Sequence, residues 1–368
     1  MILKSKSLET FVNQIFMAMG CRKKEARTIT QHLVTANLMG HDSHGVGMIP
    51  IYVKGFHQKI LFPNITPELI KDESSIMVFN GKRGFGQSIT NLAMEHCIAR
   101  CKETGLVLMG INNSGHMGRI GTYGEQCAEV GLISIHFVNV TDRSPSVAPY
   151  GGTQARFGTN PICIAMPRGS QLDPIVLDFA TSKVAVGKIR VAINKDELLP
   201  DGWVIDHSGN PSNNPRVMEQ HIYPNEKSAI PEGAVLPMGD YKGFGLSLFC
   251  EILGGIMSGG KTIQPANERL GGVINNMISI VIDPNKLVDN SSLQEELKLL
   301  IDYVKSSPNA SEAEPVVLPG EIERKRREER LKSGIDIDDE TFEQIIKAGE
   351  SLQITRPEME QGLQFKIY

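Results

Sequence analysis

Two hydrophobic periods divide the chain. Leu8, Phe11, Ile15 and Met19 recur at helical spacing and stop at Gly20, with Ser7 placed to cap the start. Ala26, Ile29, Leu33 and Leu38 repeat that spacing over residues 23–38, and Gly40 closes the run. A loop, Gly40-His41-Asp42-Ser43-His44-Gly45-Val46-Gly47, leads to a short helical stretch around Tyr52, so residues 1–70 read as a helical subdomain. From 71 to 318 short, branched apolar runs alternate with helical patterns. Strands are predicted at 76–80, 106–111, 132–140, 162–166, 175–177 and 277–282, and helices at 87–104, 122–130, 183–194, 242–258 and 293–304. The fold class is therefore α/β.

Strand, loop, helix and strand across 106–140 form a βαβ unit, and its first loop opens at the carboxyl end of a strand, where open α/β sheets place ligands. Residues 195–237, rich in Pro, Asn, Gly and Asp, read as a long surface excursion, which usually carries function or mobility. Two charged helices, 321–332 and about 339–347, finish the chain.

Composition narrows the class. With 368 residues, 40% hydrophobic, the chain has length for a large core, and a net charge of −4 gives no nucleic-acid surface. The arginine-rich run 324–330 is interspersed with glutamates and reads as a solvated helix. Six cysteines without a CxxC pair read as reduced and buried. There is no apolar leader, and the most hydrophobic helical stretch is too short for a bilayer and contains Glu251. A soluble, cytoplasmic protein without a membrane segment is expected.

The candidate chemistry sits in loops. Asn112 to Gly121 holds His116, Arg119 and the glycines 115, 118 and 121; a second histidine, His44, stands in the other Gly/Ser-rich loop. An imidazole that titrates near 6.5 can both take and give a proton at neutral pH. Arg119 could grip a carboxylate through paired charge-assisted hydrogen bonds, or be a solvated arginine at a helix start. Asp178 ends an apolar strand and needs a cation, an imidazole or backbone amides. His41, Asp42 and His44 invite a metal reading, but no third cluster offers ligands, so no metal is expected. Gly255 to Thr262 matches the phosphate-loop pattern letter for letter, yet its entering segment is helical and Pro265 blocks a following helix, so a helix end with a glycine turn is expected. The dinucleotide fingerprint GxGxxG is missing.

Several stretches are familiar as a set: Asp42 to Val46, Ser114 to Arg119, Arg156-Phe157-Gly158-Thr159-Asn160-Pro161, Asp178 to Ser182, Lys242 to Leu246, and Pro319-Gly320-Glu321. In this order they resemble the malate/L-lactate dehydrogenase family of the second type, whose relatives include sulfolactate, ureidoglycolate and diketogulonate oxidoreductases. Residues 43–50 and 183–188 are most similar to its hydroxycarboxylate dehydrogenase B branch. The resemblance implies a sulfolactate dehydrogenase-like, three-layer α/β domain with an unusual, non-Rossmann mixed sheet over 71–318. It implies a helical domain built from both chain ends, 1–70 joined by 319–368, and a homodimer with shared active sites. The implied reaction is reversible hydride transfer between NAD or NADP and a 2-hydroxy or 2-keto acid. Malate/oxaloacetate comes first; lactate, an aryl pyruvate or a cyclic imino acid are the alternatives within the family. The proton-transferring role falls on His44 or His116, with Asp178 orienting an imidazole. Ser43, Tyr52, Arg119 and Thr159 match substrate contacts. His116, Asp178, Phe179, Ala180, Thr181, Ser182, Lys183, Lys242, Pro319, Gly320 and Glu321 match regions that line the cofactor. Many relatives carry an arginine four residues after the first histidine; here Met48 stands there, so either Arg119 or Arg143 takes that load or the partner subunit supplies a cation. Outside the family, a phosphate-loop hydrolase and a cofactor-binding sensor without turnover are the rival readings.

Overall fold

A computed structural model describes residues 1–169, 172–222, 230–310, 315–361 and 363. Its centre is a seven-stranded sheet. In chain order the strands are β1 (Glu68–Glu73), β2 (Ile76–Asn80), β3 (Leu106–Gly115), β4 (Ile133–Thr141), β5 (Pro161–Met166), β6 (Ile175–Ala180) and β7 (Ile274–Ile282), and in space they run β1-β2-β3-β7-β4-β5-β6. Only β2 and β3 pair in parallel. The predicted βαβ unit exists but is split: β3 and β4 run the same way, and β7 lies between them, antiparallel to both, with Ile280 opposite Leu108 on one side and Ile135 on the other. The edge strand β1 was not predicted. Its sequence, Glu-Leu-Ile-Lys-Asp-Glu, is exposed throughout, and charges on an edge discourage further pairing.

Side chains alternate across the sheet. Val138 and Met277 point to one face, where they pack with Met94, Cys97, Tyr123 and Cys127 from the helices Gly86–Thr104 and Gly121–Ala128. Asn139 and Asn276 point to the other, where the helix Tyr241–Phe249 continues as a π-helical stretch, Cys250–Met257. There Glu251 accepts hydrogen bonds from Asn139, Asn160 and the Ile263 amide. The phosphate-loop pattern falls on the end of this stretch and the turn at Gly259, whose φ is +77°; no strand leads into it. All six cysteines are buried and unpaired.

The chain's two ends share a separate core. Leu8, Phe11, Ile15, Ile29 and Leu33 from the first two helices meet Phe342, Ile345 and Ile346 from the helix Asp339–Glu350, and Phe11 stacks on Phe342 with centroids 5.7 Å apart. Each such buried side chain contributes about 1.5–3 kcal/mol. Ile2–Leu3 also pairs with Ile335–Asp336.

The excursion 195–237 differs from the reading of a loop without periodicity; its residues 223–229 lie outside the described residues. Val204–Ile205, Pro211–Ser212 and Ala234–Val235 form a three-stranded sheet, and Val204, Val217, Met218 and Val235 bury against Ile189 and Ile193 of the helix Val186–Lys195. Apolar residues scattered over many positions made this core invisible to a periodicity search. Among the described residues no helix is long and apolar enough to cross a membrane.

Candidate active site

The loop after β3 is fixed from several directions. The Met117 amide donates to Asn275 on β7 (2.8 Å), and the Tyr123 hydroxyl donates to the Met117 carbonyl (2.6 Å). Gly118 has φ +76°, and a Cβ there would stand 2.3 Å from His32 Nε2, which accepts from the Arg119 amide at 2.9 Å. Only glycine combines that backbone with that close approach. The backbone is thereby locked while the His116 side chain is left to face a cavity.

His44 closes a 3-10 turn, Asp42–His44, held by Asn37, which accepts from the Val46 amide and donates to Asp42. Asp42 also receives Arg330, and His41 faces Glu323 at 3.5 Å, so the three metal-suggestive residues diverge. His44 turns inward. Its ring lies near-parallel to that of His116, with centroids 5.5 Å apart, and Ser43 Oγ is 3.2 Å from its Nδ1. The Tyr52 hydroxyl is 2.7 Å from His116 Nδ1 and accepts from the buried Gln87 amide at 2.7 Å. That hydroxyl can then either donate to or accept from Nδ1, which serves both protonation states of His116. Burial first, then neighbouring cations and imidazoles, hold His44 down at about 4 and His116 well below 6.5. Both rings are neutral at neutral pH.

Three neighbouring spaces with shared walls surround the pair. A cavity of about 650 Å3 is lined by His44, Arg119, Asp178 to Ala180 and Lys183; a second, about 400 Å3, by Tyr52, His116 and Arg143. A chamber of about 160 Å3 shares wall residues with both and has His44, His116, Arg143 and Thr159 in its wall. Arg143 donates to His221 Nε2 at 2.9 Å, which puts the proton of neutral His221 on Nδ1, 3.6 Å from Glu232. No carboxylate pairs with Arg143 among the described residues, and burial lowers its pKa.

The chain is similar to known proteins over nearly its whole length. The sequence profile of the malate/L-lactate dehydrogenase family matches residues 3–346. The chain belongs to that family. It is 39% identical to hydroxycarboxylate dehydrogenase B of Escherichia coli K12, over 96% of this chain and 94% of the relative. A solved Escherichia coli chain, described as a candidate malate/lactate dehydrogenase, superimposes with a TM-score of 0.92 at 37% identity, covering 98% of each chain. The sulfolactate dehydrogenase of Methanocaldococcus jannaschii gives 0.81 at 28%, covering 98% of this chain and 99% of its own. As a member of the malate/L-lactate dehydrogenase family, the protein is a dehydrogenase of hydroxy acids that uses a nicotinamide cofactor.

Against that family pattern, two residues have different surroundings from those expected. Arg119 is neither solvated nor free: its side chain is buried, both terminal nitrogens bond Glu125 (2.8 and 2.9 Å), and Nε lies 3.9 Å from Asp178. Among the described residues no imidazole hydrogen-bonds Asp178; it accepts from the Gly121 amide at 2.7 Å, at the start of a helix. Burial raises its pKa against the pull of Arg119. These groups brace one wall of the large cavity. Of the expected cofactor positions, Asp178, Phe179, Ala180, Ser182 and Lys183 line that cavity. Thr181 is buried behind them, bonding the carbonyls of Thr159 and Asn160. Lys242 lies over Tyr241, and Glu321 pairs with Lys305 and accepts from the Leu318 amide, so Lys242 and Pro319–Glu321 are outside the cavity wall. Gln87, His221 and Glu232 join the site unannounced by any motif.

Proposed function

We propose that this dehydrogenase interconverts a 2-hydroxy acid and its 2-oxo acid, malate and oxaloacetate foremost, with NAD or NADP. The observation that carries the reading is Arg143. Among the described residues it is a guanidinium without a carboxylate, in the wall of the same chamber as two neutral imidazoles. A bidentate cation for the substrate carboxylate beside a proton carrier is what oxidation of a 2-hydroxy acid requires. Arg119, already forked onto Glu125, leaves this task to Arg143.

The large cavity fits a dinucleotide: it is of ligand size, and Lys183, Lys188 and Arg326 line it as cations for phosphates. When bound, the nicotinamide cofactor accepts or supplies the hydride. His116 takes the hydroxyl proton on Nε2 when Nδ1–H is donated to Tyr52, and returns it in the reverse direction. His44, steadied by Ser43, stacks behind it, Thr159 closes the opposite wall, and Asp178 holds the helix start beneath. A homodimer with shared sites is supported by the exposed apolar side chains of one helical element: Phe249 is 54% exposed, Ile256 56% and Met257 61%. Six unpaired, buried thiols fit a reducing, cytoplasmic setting.

The test is the reduced-nicotinamide absorbance on mixing protein with NADH or NADPH and a panel of oxaloacetate, pyruvate, phenylpyruvate and a cyclic imine. Oxidation with oxaloacetate supports the proposal, and Arg143→Gln is expected to lower kcat/KM about a hundredfold. Oxidation with the cyclic imine alone would replace it. No oxidation with any compound would end it.

A further inference from the structure

A second guanidinium, without a counter-ion among the described residues, faces the same chamber. Arg190, on the helix Val186–Lys195, lines both the chamber and the large cavity, at their junction. Its Nε is buried and has no hydrogen-bond partner. One terminal nitrogen lies 3.0 Å from where a Cβ on Gly47 would stand, so the guanidinium rests against the turn Val46–Met48, directly after His44. Arg119 and Arg168 also have a buried Nε without a partner, but two enclosed arginines differ from Arg190 in having a carboxylate. Arg83 pairs with Asp142 and Arg119 with Glu125.

The charge count of the chamber decides what it takes. Its described wall contains Arg143 and Arg190 and not one Asp or Glu, and its imidazoles are neutral at neutral pH. Enclosed cations without counter-ions are costly, and a ligand that brings two negative charges removes the cost. A mono-anionic acid satisfies Arg143 and leaves Arg190 bare. The rest of the wall is apolar (Met48, Ile51, Ile120) or neutral and polar (Ser144, Ser146, Thr159), so the two arginines are its fixed positive charges.

We infer that Arg190 is a specificity-determining residue: it takes the distal anionic group of a dianionic 2-oxo acid whose C1 carboxylate lies on Arg143. The inference rests on the preceding reading for the identity of the C1 anchor, and its test separates the two.

The first arm needs no turnover. The full-length protein is melted with succinate, a dianion, and with butyrate, a mono-anion of equal carbon count. Succinate is expected to raise Tm and butyrate much less; in Arg190→Met the succinate shift is lost, while Arg190→Lys, which keeps the charge, retains part of it. Equal shifts from the two acids in the wild type, or a succinate shift that survives in Arg190→Met, overturns the inference. The second arm compares kcat/KM for oxaloacetate with that for pyruvate. The ratio is expected to favour oxaloacetate in the wild type and to fall between about tenfold and a hundredfold in Arg190→Met. A ratio unchanged within a few-fold, with a raised KM for the reduced cofactor instead, would move Arg190 to the cofactor and overturn it. If no 2-oxo acid is turned over, the preceding reading fails while the melting arm still decides whether the chamber selects dianions.

Discussion

His44 and His116 present their rings to each other at 5.5 Å between centroids, with only 13° between the planes, one hung from a turn near the start of the chain and the other from the end of β3. Two imidazolium charges at that separation would repel strongly in an enclosed site. A charge on His44 therefore disfavours protonation of His116, adding to the burial that already lowers its pKa. The arrangement makes each ring sensitive to loss of the other.

Substituting either ring by asparagine is expected to lower turnover by about a hundredfold or more. Steady-state rates in both directions, on folded variants checked by circular dichroism, measure it. A variant that keeps a near-normal rate removes that histidine from proton transfer.

Tyr52→Phe takes away the hydroxyl that faces His116 Nδ1 and leaves the buried Gln87 amide without its acceptor. The expected result is a loss in kcat of about tenfold or more with a smaller change in KM. The companion change Gln87→Met should recover some stability by removing the orphaned donor, without restoring the rate. A Tyr52→Phe enzyme with wild-type kcat would mean that His116 needs no partner on Nδ1.

The pH profile follows from the depressed basicity of His116. Its pKa lies well below 6.5, chiefly through burial, so the bare ring persists as the solution is acidified through 6.5. Oxidation of the hydroxy acid uses that bare ring, and its kcat/KM should stay level through 6.5 and fall only at lower pH. Reduction of the oxo acid uses the protonated ring, and its kcat/KM should rise as pH is lowered over the same range. An oxidation profile that breaks at or above 6.5 would contradict the burial argument.

Arg119→Met tests whether that arginine is structural. It deprives Glu125 of both hydrogen bonds and Asp178 of its nearest cation, and leaves buried negative charge uncompensated. The expected cost is about 3–5 kcal/mol in urea unfolding. A loss below about 1 kcal/mol would put the pair among weak surface bridges.

Much of the site was legible because its residues lie in short loops beside periodic elements. His44 and His116 stand next to runs whose spacing is unmistakable, and each loop contains the glycine that lets it turn. Arg119 was visible but its role was not, since Glu125 is an ordinary helical glutamate until the fold brings it to the guanidinium. Asp178 was correctly seen to need compensation, and the Gly121 amide supplies part of it. His221 and Glu232 lie in a stretch without period, and only tertiary packing brings them to Arg143. The split of the βαβ unit was also hidden: nothing in the residues of the intruding strand, β7, says which gap it fills.

That intruding strand sets an order of events on the ribosome. β3 and β4 emerge early but have no partner for their facing edges until Ile274–Ile282 has been made. The same late segment supplies Asn275, whose side chain grips the Met117 amide beside His116. The nascent chain thus holds two edges without their native partner, prone to mispairing, while residues 142–273 are made. The central sheet is closed only by a strand from the last third of the sequence, set between two made long before it.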